Sequence, residues 1–180
     1  MSLSIVRTVG VVLSVFLLGS CNAHVGGEAR IRALATTADV PFGLALPVPQ
    51  SSSTVAIGSI MLCRTGSGDD PEISSVGFER GENEIEVVAF GTRRASTTTL
   101  GAENGASLTN LGFVGTTVSQ GCDAKDDARP TELGIEVRAP GGPRVTGQTL
   151  DVHYRAGSSS LVEQVPFTLV VCVGSKRCDP

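Results

Sequence analysis

The chain has 180 residues and a formal net charge of −4, with 14 Lys and Arg against 18 Asp and Glu. A mildly acidic chain with no basic cluster argues against nucleic acid and against docking of the protein surface on anionic lipid headgroups. Its 22 glycines, lack of tryptophan and single tyrosine, set among many Ser, Thr and Val, suit short strands joined by turns, in a domain large enough to bury a core without a metal.

The first predicted element is an export signal. Arg7 is the one charge among the first 20 residues, and residues 9–18 follow as a ten-residue apolar run. That is the length of a signal core and short of the roughly 20 residues that span a bilayer. Leu18-Gly19-Ser20-Cys21 closes the run and resembles the lipobox of bacterial lipoproteins. The resemblance implies cleavage before Cys21, acylation of its thiol, and anchoring at the outer face of the cytoplasmic membrane. One acyl chain binds a bilayer only marginally, whereas two hold a protein there, at about 0.8 kcal/mol per buried CH₂. Asn22 in place of an aspartate, and only two lysines (Lys125 and Lys176) against many arginines, hint at a high-GC Gram-positive source. The chain thus divides into a signal peptide over 1–20, a lipidated N-terminus and flexible tether over 21–53, and a β domain over 54–180.

Within the tether, Pro41, Pro47 and Pro49 disfavour a helix and a central strand, while Phe42 and the neighbouring leucines suit an edge of the domain. Strands are predicted over 54–63, 73–78 and 84–90, with turns at 66–71 and 81–83. Residues 97–107 read as a long loop with a short edge strand, and 111–118 as another strand. Leu133, Ile135 and Val137 alternate with Gly134, Glu136 and Arg138, which predicts one buried and one wet face. Leu150, Val152 and Tyr154 repeat the pattern, and a turn at 157–159 leads into 162–173, apolar enough after Pro166 to lie centrally. About seven short strands and no helical period predict an all-β antiparallel sandwich, immunoglobulin-like in the broad architectural sense.

Setting Cys21 aside leaves Cys63, Cys122, Cys172 and Cys178, an even set that reads as two disulfides in an exported chain. Local closure of Cys172 on Cys178 would leave Cys63 to Cys122; alternatively a C-terminal cysteine ties back to Cys63. Zinc is disfavoured by the absence of CxxC and of paired histidines. Copper lacks its histidines and has only Met61 as a thioether in the mature chain. Asp69-Asp70 and the carboxylates of 123–127 read as solvated loops or a weak calcium site, without the spacing of a dedicated calcium loop. His153, flanked by Asp151 and Arg155, is the one candidate base for a hydrolase, yet no serine sits in a GxSxG turn; His24 lies in the tether.

Residues 61–63, 131–137, 150–155 and 166–172 are similar to uncharacterised exported proteins of high-GC Gram-positive bacteria, a resemblance that implies export and no activity. The sequence therefore points to a lipid-anchored, non-enzymatic binding or interaction module. Its expected partners are the membrane, through Cys21, and an envelope protein or polymer, with no cofactor or metal. Two alternatives are an accessory subunit of an envelope enzyme or transporter, and a hydrolase using His153.

Overall fold

Alternating apolar residues build two facing layers. In the computed structural model, which describes residues 27–34, 42–49, 54–79, 85–96, 100–123, 129–139, 143–175 and 177–178, ten strands and no helix occur among the described residues. They are β1 (Arg30–Ala33), β2 (Phe42–Val48), β3 (Val55–Thr65), β4 (Glu72–Glu79), β5 (Glu86–Arg94), β6 (Ala102–Asn104), β7 (Thr131–Arg138), β8 (Arg144–Ala156), β9 (Ser159–Val165) and β10 (Phe167–Val173). One sheet runs β1-β3-β7-β5, with β6 also on β3; the other runs β2-β10-β8-β4, with β9 also on β8. Leu62, Leu133, Ile135 and Val137 of the first sheet meet Leu150, Val152, Tyr154, Phe167 and Leu169 of the second in one core. The protein is an all-β sandwich. Among the described residues the strand pairs are antiparallel except β2 with β10.

The strands depart from a strict two-residue period at bulges. Ile57 faces Ile135 and Ile60 faces Leu133, so Gly58 and Ser59 together oppose Gly134 alone. The extra residue shifts the phase, and Val55, Ile57, Ile60 and Leu62 are all buried as a result. Ser59 takes a φ of 71° at this bulge, a conformation uncommon for a residue with a side chain. Val88 plays the same part in β5, where Val87 pairs with Val137 but Ala89 with Glu136.

Residues 21–53 are not wholly a tether. Ala29 and Ile31 are buried beside exposed Arg30 and Arg32, and Val48 is buried at the end of β2. Both segments have enough alternating apolar surface to dock, and both take edge positions. Pro47 is compatible with β2 because an edge strand leaves one row of N–H groups unneeded. The exposed side of β1 is capped by a carboxylate of the other sheet, with the Ala33 N–H donating to Glu163 Oε1 at 3.0 Å, which blunts a free edge. Tyr154 lies beneath, and burial raises its phenol above the ordinary tyrosine value against a lowering from the Ile31 backbone.

Residues 111–118 do not form the predicted strand. They turn at 108–112 and then make only isolated bridges, Thr92 to Gly115 and Glu72 to Thr117. Nor is the outer face of β7 wet along its whole length: Arg138 is exposed and Glu136 half-buried, but the first half is covered. Glu132 is fully buried and Gly134 is buried too, because residues 100–122 cross that face as a strap. Leu108 and Phe113 of the strap seat on Ala56, with Leu100, Leu111 and Ala89 around them, in a second small core.

The strap fits because the sheet has a trench of glycines beneath it. Gly91 pairs with Gly134, and Gly58 lies in the bulge on the next strand. A Cβ on Gly134 would stand 2.7 Å from Phe113 Cδ1 and 2.9 Å from Leu108 Cδ2, and one on Gly91 2.8 Å from the Phe113 carbonyl oxygen. Gly134→Ala is therefore expected to lose about 1–3 kcal/mol by overpacking, measured by urea unfolding, with greater protease cleavage within 100–122. Unchanged stability would mean the strap does not seat there.

Candidate functional site

The two disulfides are Cys63–Cys122, with Cα atoms 4.9 Å apart, and Cys172–Cys178, at 5.6 Å. The local closure is thus the pairing adopted. Cys21 and His24 lie outside the described residues. His153 is exposed on β8, where its backbone carbonyl accepts from Ser74 Oγ at 3.2 Å. Asp151 Oδ1 accepts from Gln164 Nε2 at 3.1 Å. Ser75 of β4 is the direct cross-strand partner of His153, but among the described residues no hydrogen bond joins the His153 side chain to Asp151 or to a serine. Asp70 pairs with Arg64 at 3.4 Å, Asp123 is exposed, and Asp126 and Asp127 lie outside the described residues. Among the described residues no three potential ligands gather for a metal. Met61 stays in β3, half-buried.

The polar centre of the molecule lies elsewhere, under the strap. Arg93 of β5 and Glu132 of β7 are direct cross-strand partners, so their side chains leave the sheet on the same face. Arg93 donates from Nε to Glu132 Oε2 at 2.8 Å, and its Nη2 lies 2.8 Å from the same oxygen. Glu132 Oε1 accepts from the backbone N–H groups of Ser59 at 3.1 Å and Leu100 at 3.0 Å. Arg93 Nη1 donates to the Leu111 carbonyl at 2.7 Å, and its guanidinium stacks over Phe113, 4.2 Å from the ring centre. A buried carboxylate without partners would be costly. Here both oxygens are used, and they tie the β3 bulge, the strap's start and β5 together.

Beyond this pair the strap runs along the end of the sandwich. Thr92 and Gly115 exchange backbone hydrogen bonds at 2.7 and 3.1 Å, Val118 N donates to the Pro71 carbonyl, and Arg64 N donates to the Gln120 carbonyl. The Cys63–Cys122 bond fastens its far end. Between this stretch and the ends of β5 and β7 lies an open depression of about 290 Å³. Arg94 and Arg129, both exposed, line it together with Thr117, Ser119 and Gln120. Thr92 and Thr131, both buried, also line it, as does Arg93. Among the described residues all that line it are polar, three are cationic and none is acidic. Such a surface offers hydrogen-bond donors and positive charge; it offers no nucleophile–base pair and no ligand set for a metal.

No protein-family model matches the chain, and no curated protein matches it. The chemistry of its own residues therefore carries the functional reading. The depression had little sequence signal, because its cations come from positions 94 and 129, which the strand order alone brings together. Arg93-Arg94 closing an apolar strand was the available hint.

Proposed function

We propose that this chain is a lipid-anchored extracytoplasmic protein that works as a non-enzymatic binding module at the outer face of the cytoplasmic membrane, held there by acyl chains on Cys21. The observation that supports it most is the cysteine pairing. Four of the five cysteines are joined in two disulfides, and Cys21 alone stands outside them. Structural disulfides persist in oxidising compartments outside the cytoplasm, and the thiol left over is the one at the lipobox-like position. A disulfide-tied sandwich that presents polar donors in a depression suits recognition.

The test is Cys21→Ser, expressed in a bacterium that processes lipoproteins. The protein is expected to leave the membrane fraction or to accumulate unprocessed, while its disulfides remain. Membrane retention and maturation equal to the parent would contradict anchoring through Cys21. Turnover of ester, peptide or glycoside substrates, abolished by His153→Ala with the fold retained, would contradict the binding role.

A further inference from the structure

We propose that the depression between the ends of β5 and β7 and the strap is a binding site for a phosphate group. The inference rests on the reading of the domain as a binding module and supplies the class of ligand. Its basis is a local charge opposite to that of the whole chain. The protein carries 18 acidic against 14 basic Lys and Arg residues, yet among the described residues the depression is lined by three arginines and no carboxylate.

The charges differ in availability. Arg93 is neutralised by Glu132, whose side chain has no exposure at all, and its three nitrogens are committed to Glu132 and Leu111. Arg94 and Arg129 have no ion pair among the described residues. Two guanidinium forks in one depression with the Thr117 and Ser119 hydroxyls and the Gln120 amide supply more donors than one carboxylate has oxygens to use. A phosphate presents three or more acceptor oxygens, and arginine forks match that geometry bidentately. The volume of about 290 Å³ lies at the bottom of the range for small-molecule sites, so it takes a phosphate with a short organic substituent rather than a long ligand.

The strap side of the depression is also held in place. Thr92 Oγ1 donates to the Thr117 carbonyl at 3.3 Å, and backbone hydrogen bonds fix both sides of that segment, at Gly115 and at Gln120. Cys122, two residues beyond Gln120, is bonded to Cys63. A site built on fixed backbone spends little of its affinity on ordering itself.

Titration of the full chain in mild detergent tests this, by calorimetry and phosphorus NMR at constant ionic strength. The probes are inorganic phosphate and glycerol 3-phosphate, with acetate as comparator. Saturable binding of phosphate at one site, tighter than acetate, is expected. Arg94→Gln and Arg129→Gln, both at exposed positions, should each weaken it by about tenfold, the loss of one charge-assisted hydrogen bond, with melting as in the parent. Arg138→Gln, which removes an exposed arginine paired with Glu86 at the other end of β7, should leave binding unchanged. Glycerol 3-phosphate binding more tightly than inorganic phosphate assigns the site to esters, and the reverse order assigns it to the free ion. The absence of saturation, acetate binding as tightly as phosphate, or an equal loss in Arg138→Gln would overturn the proposal. Such a failure leaves the anchoring test untouched, and retention of Cys21→Ser on the membrane leaves the titration untouched.

Discussion

Replacing Cys63 and Cys122 together with alanine is expected to lower stability by about 4 kcal/mol. The bond links residues 59 apart in sequence, and the loop-closure entropy it removes from the unfolded chain is about 3–5 kcal/mol for loops between 15 and 100 residues. Cys172–Cys178 closes only 6 residues, so its loss should cost distinctly less on the same relation. At about 2–4 °C per kcal/mol for a domain of this size, the first double variant should melt roughly 10 °C below the parent. The two double variants, compared by urea unfolding with free thiols blocked, give the ranking. Equal losses would mean that strain or residual structure, rather than loop length, dominates. Because Cys122 holds the far end of the strap, the Cys63/Cys122 variant alone should also weaken phosphate binding.

Arg93→Met is the second large effect. It keeps an unbranched side chain under Phe113 and removes the charge, leaving the fully buried Glu132 carboxylate with only its two backbone donors, on Ser59 and Leu100. Breaking a buried pair from one side costs about 3–5 kcal/mol, because the other charge is left uncompensated. Adding Glu132→Gln should recover part of that loss. The neutral amide still accepts from Ser59 and Leu100 through its oxygen and no longer carries a charge into the interior. A double variant as unstable as Arg93→Met, in urea unfolding, would show that packing of the guanidinium on Phe113, not charge, is what matters. The half-exposed Arg138–Glu86 pair, at 2.6 Å, should show almost no effect in the same assay, since exposed pairs contribute little.

The sandwich itself was legible in the sequence where strands alternate cleanly. Leu133, Ile135 and Val137, and Leu150, Val152 and Tyr154, face the core as their spacing predicts, and β10 lies centrally, between β2 and β8. The covered outer face was not legible. Gly134, Glu136 and Arg138 read as a wet face, which holds at Arg138 but not at Gly134, and nothing local to β7 reveals that a strap some 20 to 30 residues earlier lies over its first half. The glycines at 58, 91 and 134 carried the information, but only as a set, once the register aligned them. Ala29-Arg30-Ile31-Arg32-Ala33 does alternate; β1 escaped notice because four or five residues are too few to outweigh the prolines that follow. The cation-lined depression depends on tertiary placement alone. Arg94 and Thr131 become neighbours only through the β5–β7 register.

The most direct test of the anchored, oxidised protein is its intact mass after extraction from cell membranes. The account predicts a chain that begins at Cys21, carries a diacylglycerol on that thiol, and is lighter by four hydrogens, two for each disulfide. A chain with an unmodified thiol at residue 21, or with its four other cysteines reduced, would contradict it.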